Sequence, residues 1–446
     1  MTQAFDAAEQ QTLLETRVET ALALARRWGA DACEVGASVD QGVGINVREG
    51  EVESVEMTRD QGIAVTVYVG QRKGSASSSD ASDASIHDAV EKAIAIARYT
   101  GEDPASGLAD AELMAGAMPD MKVHHPWTLS TDEAVELALA CEKAGRDVAG
   151  IKSSDGAGLS TGEGVRVYGN SHGFIGAQRG SQHSLSCVLI AEDAAGMQRD
   201  YDFTSARDPQ QLLCPESVGL SAAQKTLARL GSQRPATGRL PVMFAPRLAS
   251  GLVGHLMGAI AGGALYRQAS FLCDRLGESL FPEWFTLQEQ PMEIGAMASS
   301  PFDGDGVQTR NNVFVDQGRL ASYMLSAYSA RRLGQQTTAN AGGARNLRIN
   351  APLTTYDALL AQMDRGILVT ELMGQGVNGV TGDYSRGAAG FWVENGQIQH
   401  PVEEFTIAGN LNAIFAGLVG VGNDIDTRGS IHSGSWLIDE MTIAGS

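Results

Sequence analysis

No stretch of this 446-residue chain is apolar over the ~20 residues that a membrane helix requires. The nearest, residues 411–421, is short and glycine-containing, and Asn410 and Asn412 weaken a membrane reading further. The first ten residues, MTQAFDAAEQ, lack both a basic start and an apolar core, so no signal peptide is expected. Cysteine is sparse. Cys33, Cys141, Cys187, Cys214 and Cys273 are odd in number, scattered, and without CxxC spacing. That excludes a disulfide frame or a zinc ribbon and fits reduced thiols in a cytoplasmic protein. Basic residues are in deficit, and the net charge of -20 argues against nucleic acid as the main partner, because phosphate binding needs basic patches. HExxH, a Walker GK[ST] loop and a Rossmann GxGxxG are all missing.

Apolar residues, at 43%, suffice for proper cores, and the length suggests two or three domains. Glycine is abundant: 53 residues, roughly one in eight against a usual ~7%. Turns and hairpins should therefore be frequent.

Residues 7–28 have helical periodicity, with Leu14, Val18, Leu22 and Ala25 on one face. The period then changes to two, and residues 32–39, 43–48, 52–57 and 62–69 read as four strands of a meander. A polar stretch, 74–82, ends that run, and a helix is expected over 84–99. Residues 101–119 read as irregular. Ser130 and Glu133 form a capping-box pattern that opens a helix through Ala144. Residues 165–175 and 184–203 read as further hairpins, and 216–230 as helix. Residues 231–238, GSQRPATG, are the best linker candidate. They divide an N-terminal α+β domain, 1–230 (with subsegments near 1–120 and 121–230), from a β-rich C-terminal domain, 239–446. A strand at 240–244 and a helix near 356–363 are expected in the latter. The class is α+β, with largely antiparallel sheets.

Three six-residue units share a hairpin pattern: Val47–Val52 (VREGEV), Val315–Leu320 (VDQGRL) and Val393–Ile398 (VENGQI). Each has an apolar start, glycine in fourth place and an apolar end. Asn395-Gly396 is a strong tight-turn signal.

Residues 246–265, PRLASGLVGHLMGAIAGGAL, read as one helix around which the rest must be arranged. Pro246 suits its first turn. Gly251, Gly254, Gly258 and Gly262 recur at steps of three, four and four and make one bare stripe. Each costs roughly 1 kcal/mol against alanine inside a helix. His255 projects about 55° from the middle of that stripe, at ~100° per residue. Two readings stand: a hydrogen-bonded core histidine in a tight helix packing, or a peptide-handling cleft. A second unusual stretch, 374–390, places six glycines around Asp383, Tyr384, Ser385 and Arg386. It is either a long glycine-rich hairpin connection or a surface that receives extended peptide by strand addition.

Other motifs reduce to turns or, for His124-His125-Pro126, a loop. Gly169-Asn170-Ser171-His172-Gly173 matches G-x-S-x-G, but Phe174 and Ile175 follow where a nucleophile elbow needs a helix. Asp303-Gly304-Asp305-Gly306 lacks the glutamate that closes a calcium loop, Phe314 standing there. His124-His125-Pro126 lacks helical ligand spacing.

Four stretches, LVGHLMGAIAGGALYR (252–267), SSPFDGDGV (299–307), SAYSARRLG (326–334) and ELMGQGVNGVTGDYSRGAAGFWVENG (371–396), resemble the TldD/PmbA family, on the PmbA branch also called TldE. The similarity runs over nearly the whole chain. It implies a cytoplasmic heterodimer of a TldD and a TldE subunit acting as a zinc metalloprotease on unfolded or small peptides. An older family name is modulator of DNA gyrase. In the family the TldD subunit carries HExxxH, with its glutamate as general base. In this sequence His255 stands at the first histidine, Leu256 at the glutamate and Ile260 at the second histidine, and Ser433 aligns loosely with a cysteine of the zinc-bearing branch. The resemblance thus implies a peptidase subunit without its own metal or catalytic residues, paired with a zinc-bearing TldD-like chain. His255, Gly251, Gly254, Gly258, Asp383, Tyr384, Ser385 and Arg386 are its candidate peptide or partner groove. A homodimer in the partner's absence is left open. Alternatives are an autonomous metalloprotease with distant ligands, and a non-enzymatic binding protein acting on gyrase.

Overall fold

The computed structural model describes residues 5–194 and 196–445. The chain is α+β, as its periodicities predict. Its first part runs α1 (Ala7–Arg27), β1 (Ala32–Arg48), β2 (Glu51–Val69), β3 (Arg72–Ser78), α2 (Asp83–Tyr99), α3 (Thr131–Arg146), β4 (Ile151–Asn170), β5 (Ile175–Asp193), β6 (Gly196–Ala206) and α4 (Pro215–Ala228). The six strands form one antiparallel sheet in the order β3-β2-β1-β4-β5-β6, so β1 and β4 join its early and late segments. Helices α1 and α2 cover one region of the sheet through Leu14, Val18, Ile86 and Val90. Helices α3 and α4 cover another through Ala138, Cys141, Val218 and Ala222.

The four short strands expected over 32–69 are two long ones. Residues 40–42 pair with 58–60 without interruption, because β4 flanks β1 there and satisfies its other edge. The polar stretch 74–82 is not wholly loop either, since β3 pairs with β2. The capping box is present: Ser130 Oγ accepts from the Glu133 N–H, and the Glu133 carboxylate accepts from the Ser130 N–H.

The remainder comprises β7 (Gly238–Phe244), α5 (Pro246–Ala259), α6 (Gly262–Tyr266), β8 (Thr286–Glu289), β9 (Asn312–Asp316), β10 (Arg319–Leu320), α7 (Ala327–Arg332), β11 (Leu347–Asn350), β12 (Leu353–Thr354), α8 (Tyr356–Met363), β13 (Gly366–Met373), β14 (Asp383–Glu394), β15 (Gln397–Asn410), α9 (Leu411–Ala416), β16 (Leu418–Gly422), β17 (Ile431–His432) and β18 (Trp436–Ala444). Strands β18, β15, β14, β13 and β7 close into a ring, because β7 pairs with both β13 and β18. Five short strands, in the order β10-β9-β8-β11-β17, make a separate sheet. Side chains of the ring and of α5 share one core, including Phe244, Leu252, Leu256, Ile367, Ile407 and Trp436. Met243, Leu368 and Leu437, on the other face of the ring strands, pack under α8.

The three hairpin units share one turn. Glu49-Gly50, Gln317-Gly318 and Asn395-Gly396 each connect paired strands, and all six residues have positive φ. That is the two-residue turn whose twist matches the strands it joins.

The glycine-striped segment is not a single helix. Helix α5 stops at Ile260, whose C=O accepts from the Met324 N–H, while the Gly262 N–H donates to the Met324 C=O. This bridge pulls Ala261 into an extended conformation, and a new short helix begins after it. All five cysteines are free.

Candidate functional site

Helix α5 divides its faces by residue size. Leu252, Val253, Leu256 and Met257 are buried in the core, whereas Gly251, Gly254 and Gly258 are exposed. A Cβ at any of these three glycines would meet no atom within 4 Å. Tight internal packing therefore does not account for them. Gly262 is the opposite case: a Cβ there would collide with Ser329 of α7. Three of the stripe's four glycines form an open ridge, and the fourth serves helix packing.

His255 borders the ridge, half-buried. With Gly254, Gly258, Phe271, Leu411 and Arg386 it lines a pocket of about 340 Å³. The His255 ring stands edge-on to Tyr384, centroids 6.0 Å apart at 78°. Burial holds the imidazole below its ordinary pKa, and the Arg386 guanidinium pushes in the same direction. The imidazole is thus favoured in its neutral form. Tyr384 is only 1% exposed, and burial pushes its phenol up to about 12, with nearby Arg386 offsetting part of that rise. By hydrogen-bond geometry, neither the Tyr384 hydroxyl nor Arg386 Nε has a partner among the described residues.

Alternation along β14 separates the four polar residues of this stretch. Tyr384 is buried and Arg386 reaches the pocket, whereas Asp383 and Ser385 are exposed. Asp383 accepts from Thr381 Oγ1 at 2.6 Å and Asn410 Nδ2 at 3.2 Å, bonds that hold its carboxyl below the usual range. Ser385 donates its N–H to the Gly376 carbonyl at 2.7 Å. Of the candidate groove, Gly254, His255, Gly258 and Arg386 converge, with Tyr384 beneath. Gly251 lies one turn away along the ridge, and Asp383 and Ser385 serve the loop. That loop, 374–382, folds back on β14 through a Val377–Tyr384 bridge. Two kinds of constraint act on its glycines: a Cβ at Gly376 would overlap the Ser385 carbonyl, and Gly374 and Gly382 have positive φ, whereas a Cβ at Gly379 would meet nothing. This is the glycine-rich connection of the first reading. The walls supplied by Phe271, Val377 and Leu411 come from three separate segments, and no local pattern marks them.

Of the three remaining motifs, two are turns, and His124-His125-Pro126 is a loop outside any helix or strand. Ser171 accepts the Cys33 N–H in the β4–β5 turn. Asp303 is buried and accepts from the N–H groups of Asp305, Val307 and Ala341. His124 Nε2 lies 3.0 Å from Glu163.

A larger cavity, about 1000 Å³, lies between the first sheet and the C-terminal part. Its cations are already matched. Lys225 pairs with Asp202 at 2.9 Å, Arg428 with Asp426 at 2.6 Å, and Arg207 donates to the Ser181 and Met297 carbonyls. Arg386 has no carboxylate partner among the described residues, which distinguishes the smaller pocket.

Family models match along the chain: the PmbA/TldA metallopeptidase domain 1 over residues 33–97, the central domain over 124–230 and the C-terminal domain over 237–445. The chain belongs to the PmbA/TldA metallopeptidase family. It is 47% identical to metalloprotease PmbA of Escherichia coli O157:H7 over 437 residues, covering 98% of this chain and 97% of that one. It is 44% identical to the metalloprotease PmbA homolog of Haemophilus influenzae, with 98% and 97% coverage. Its fold matches that of a Bacteroides thetaiotaomicron protein proposed as a modulator of DNA gyrase, with a TM-score of 0.91, 26% identity, and 97% and 99% coverage. TldE of Thermococcus kodakarensis shares the fold at a TM-score of 0.84 and 20% identity, over 96% and 100% of the two chains.

The donors around His255 do not suit zinc. Leu256 and Ile260 are apolar and buried, and the nearest charge is a guanidinium, which opposes a dication. Among the described residues no three His, Cys, Asp or Glu side chains converge as a metal-binding group. Ser433 is buried beside β17 and donates to the Gly434 carbonyl. No described helix is long and apolar enough to cross a membrane.

Proposed function

We propose that this chain is the TldE-type subunit of a cytoplasmic two-chain zinc peptidase, and that it holds unfolded or small peptides while a TldD-like partner carries the metal and the general base. The reading rests on one observation above the others: His255 faces Arg386, with no second imidazole or carboxylate beside it. A catalytic zinc needs about three protein ligands and an open water position. The exposed glycines of α5 support the peptide-holding part, since they leave room for another main chain without serving any contact inside this one.

The test is the zinc content and peptidase activity of the purified chain, alone and mixed with a TldD-type chain. The expected result is no stoichiometric zinc and no activity alone, with activity appearing in the mixture. A second reading draws on the name metalloprotease carried by the bacterial relatives. Stoichiometric zinc with activity in the single chain would establish it and end the first.

A further inference from the structure

Exposed helix glycines are expensive. Gly251, Gly254 and Gly258 all sit inside α5, none has the positive φ that demands glycine, and none is crowded by this chain. Alanine would favour the helix at each site by roughly 1 kcal/mol. The room they leave is therefore room for something outside the described chain.

The pocket beside them shows what chemistry that occupant carries. Its walls are a bare ridge (Gly254 and Gly258), apolar surfaces (Phe271, Val377 and Leu411) and one guanidinium. Arg386 reaches the pocket and has no carboxylate partner among the described residues. A guanidinium that reaches a pocket without a carboxylate partner has donors to offer an anionic ligand. The pocket lining contains no acidic residue, in a chain whose net charge is -20.

We infer that the pocket captures the free C-terminal carboxylate of a peptide, the Arg386 guanidinium receiving the carboxylate, Phe271, Val377 and Leu411 holding an apolar last side chain, and the peptide main chain lying along the Gly254–Gly258 ridge. Arginine suits this role because its planar fork matches a carboxylate with two parallel hydrogen bonds. The inference rests on the peptide-holding reading above and narrows it to one end of the peptide.

The probe is a fluorescein-labelled pentapeptide ending in leucine, made as the free acid and as the C-terminal amide. Binding to the full chain, without any partner, is read by fluorescence anisotropy. The acid is expected to bind about tenfold more tightly than the amide or better, the scale of a charge-assisted pair. Arg386→Gln should bring the two to parity. Gly258→Leu should abolish binding of both with circular dichroism unchanged, since its side chain grows into the pocket and not into the core. Millimolar inorganic phosphate should leave the acid bound. Equal binding of acid and amide to the wild-type chain, or binding of neither, overturns the inference without any variant. So does an acid preference that survives in Arg386→Gln, or displacement by phosphate, which would mark a general anion site. These readouts need no catalysis, so activity in the two-chain mixture judges the subunit reading separately.

Discussion

The imidazole of His255 stands edge-on to the ring of Tyr384, with centroids 6.0 Å apart, and the Arg386 guanidinium acts on both. A helix and a strand more than a hundred residues apart in sequence thus build a corner with one fixed positive charge and two groups favoured in their neutral forms.

His255 should titrate below its ordinary value of 6.5, because burial and then Arg386 disfavour the imidazolium. Nuclear magnetic resonance of its ring protons against pH measures this. Arg386→Gln should move the midpoint up, toward 6.5. The stability that His255 contributes is present above 6.5 and is lost as pH falls through the lowered value. A midpoint unmoved by the substitution would mean that the guanidinium is neutralised by a group outside the described structure.

Gly254→Ala and Gly258→Ala should each stabilise the chain by up to about 1 kcal/mol, since the helix gains and nothing is displaced. Gly262→Ala, only one turn further on, should destabilise by about 1–3 kcal/mol because its Cβ is driven into Ser329. Urea unfolding of the three variants checks the contrast. Loss of stability at Gly258 equal to that at Gly262 would refute the open ridge.

Asp303 carries a pH dependence of its own. Burial, with Asp305 next to it, raises its carboxyl from 3.8 to about 6. A raised acid favours the folded state below its unfolded value and gives that advantage up as pH rises through the folded one. Wild type should therefore lose on the order of 3 kcal/mol from this group between about pH 4 and 6. Asp303→Asn should remove that slope, at a fixed cost, because the Ala341 N–H loses its acceptor. Urea midpoints for the two chains across this range give the difference directly.

Arg229, at the end of α4, joins the two halves of the molecule by pairing with Glu371 of β13 and lying 3.7 Å from Asp200 of β6. Its side chain is 11% exposed. Arg229→Ala should cost about 3 kcal/mol, since Asp200 keeps only Arg247 near it. Arg239→Ala removes an exposed pair with Glu440 and should cost less than about 1 kcal/mol. Thermal melts of both variants test the ranking.

Local chemistry was readable without the structure. The Ser130–Glu133 capping box, the three two-residue turns and the helix over 356–363 depend on residues close in sequence, and each occurs where the pattern puts it. The α+β class followed from the change of hydrophobic period, and the stretches 252–267 and 371–396 carried the family. Tertiary structure decided the rest. It fused four short strands into two, because β4 runs beside β1 and pairs its other edge. It broke the helix at Ile260, because Met324 competes for the backbone there. It also divided one glycine stripe into two uses. Spacing alone puts Gly258 and Gly262 on the same face, but only the arrival of Ser329 of α7 from far downstream leaves one open and buries the other. Periodicity and turn dihedrals are properties of a few neighbouring residues. What a bare helix face meets is set by distant segments.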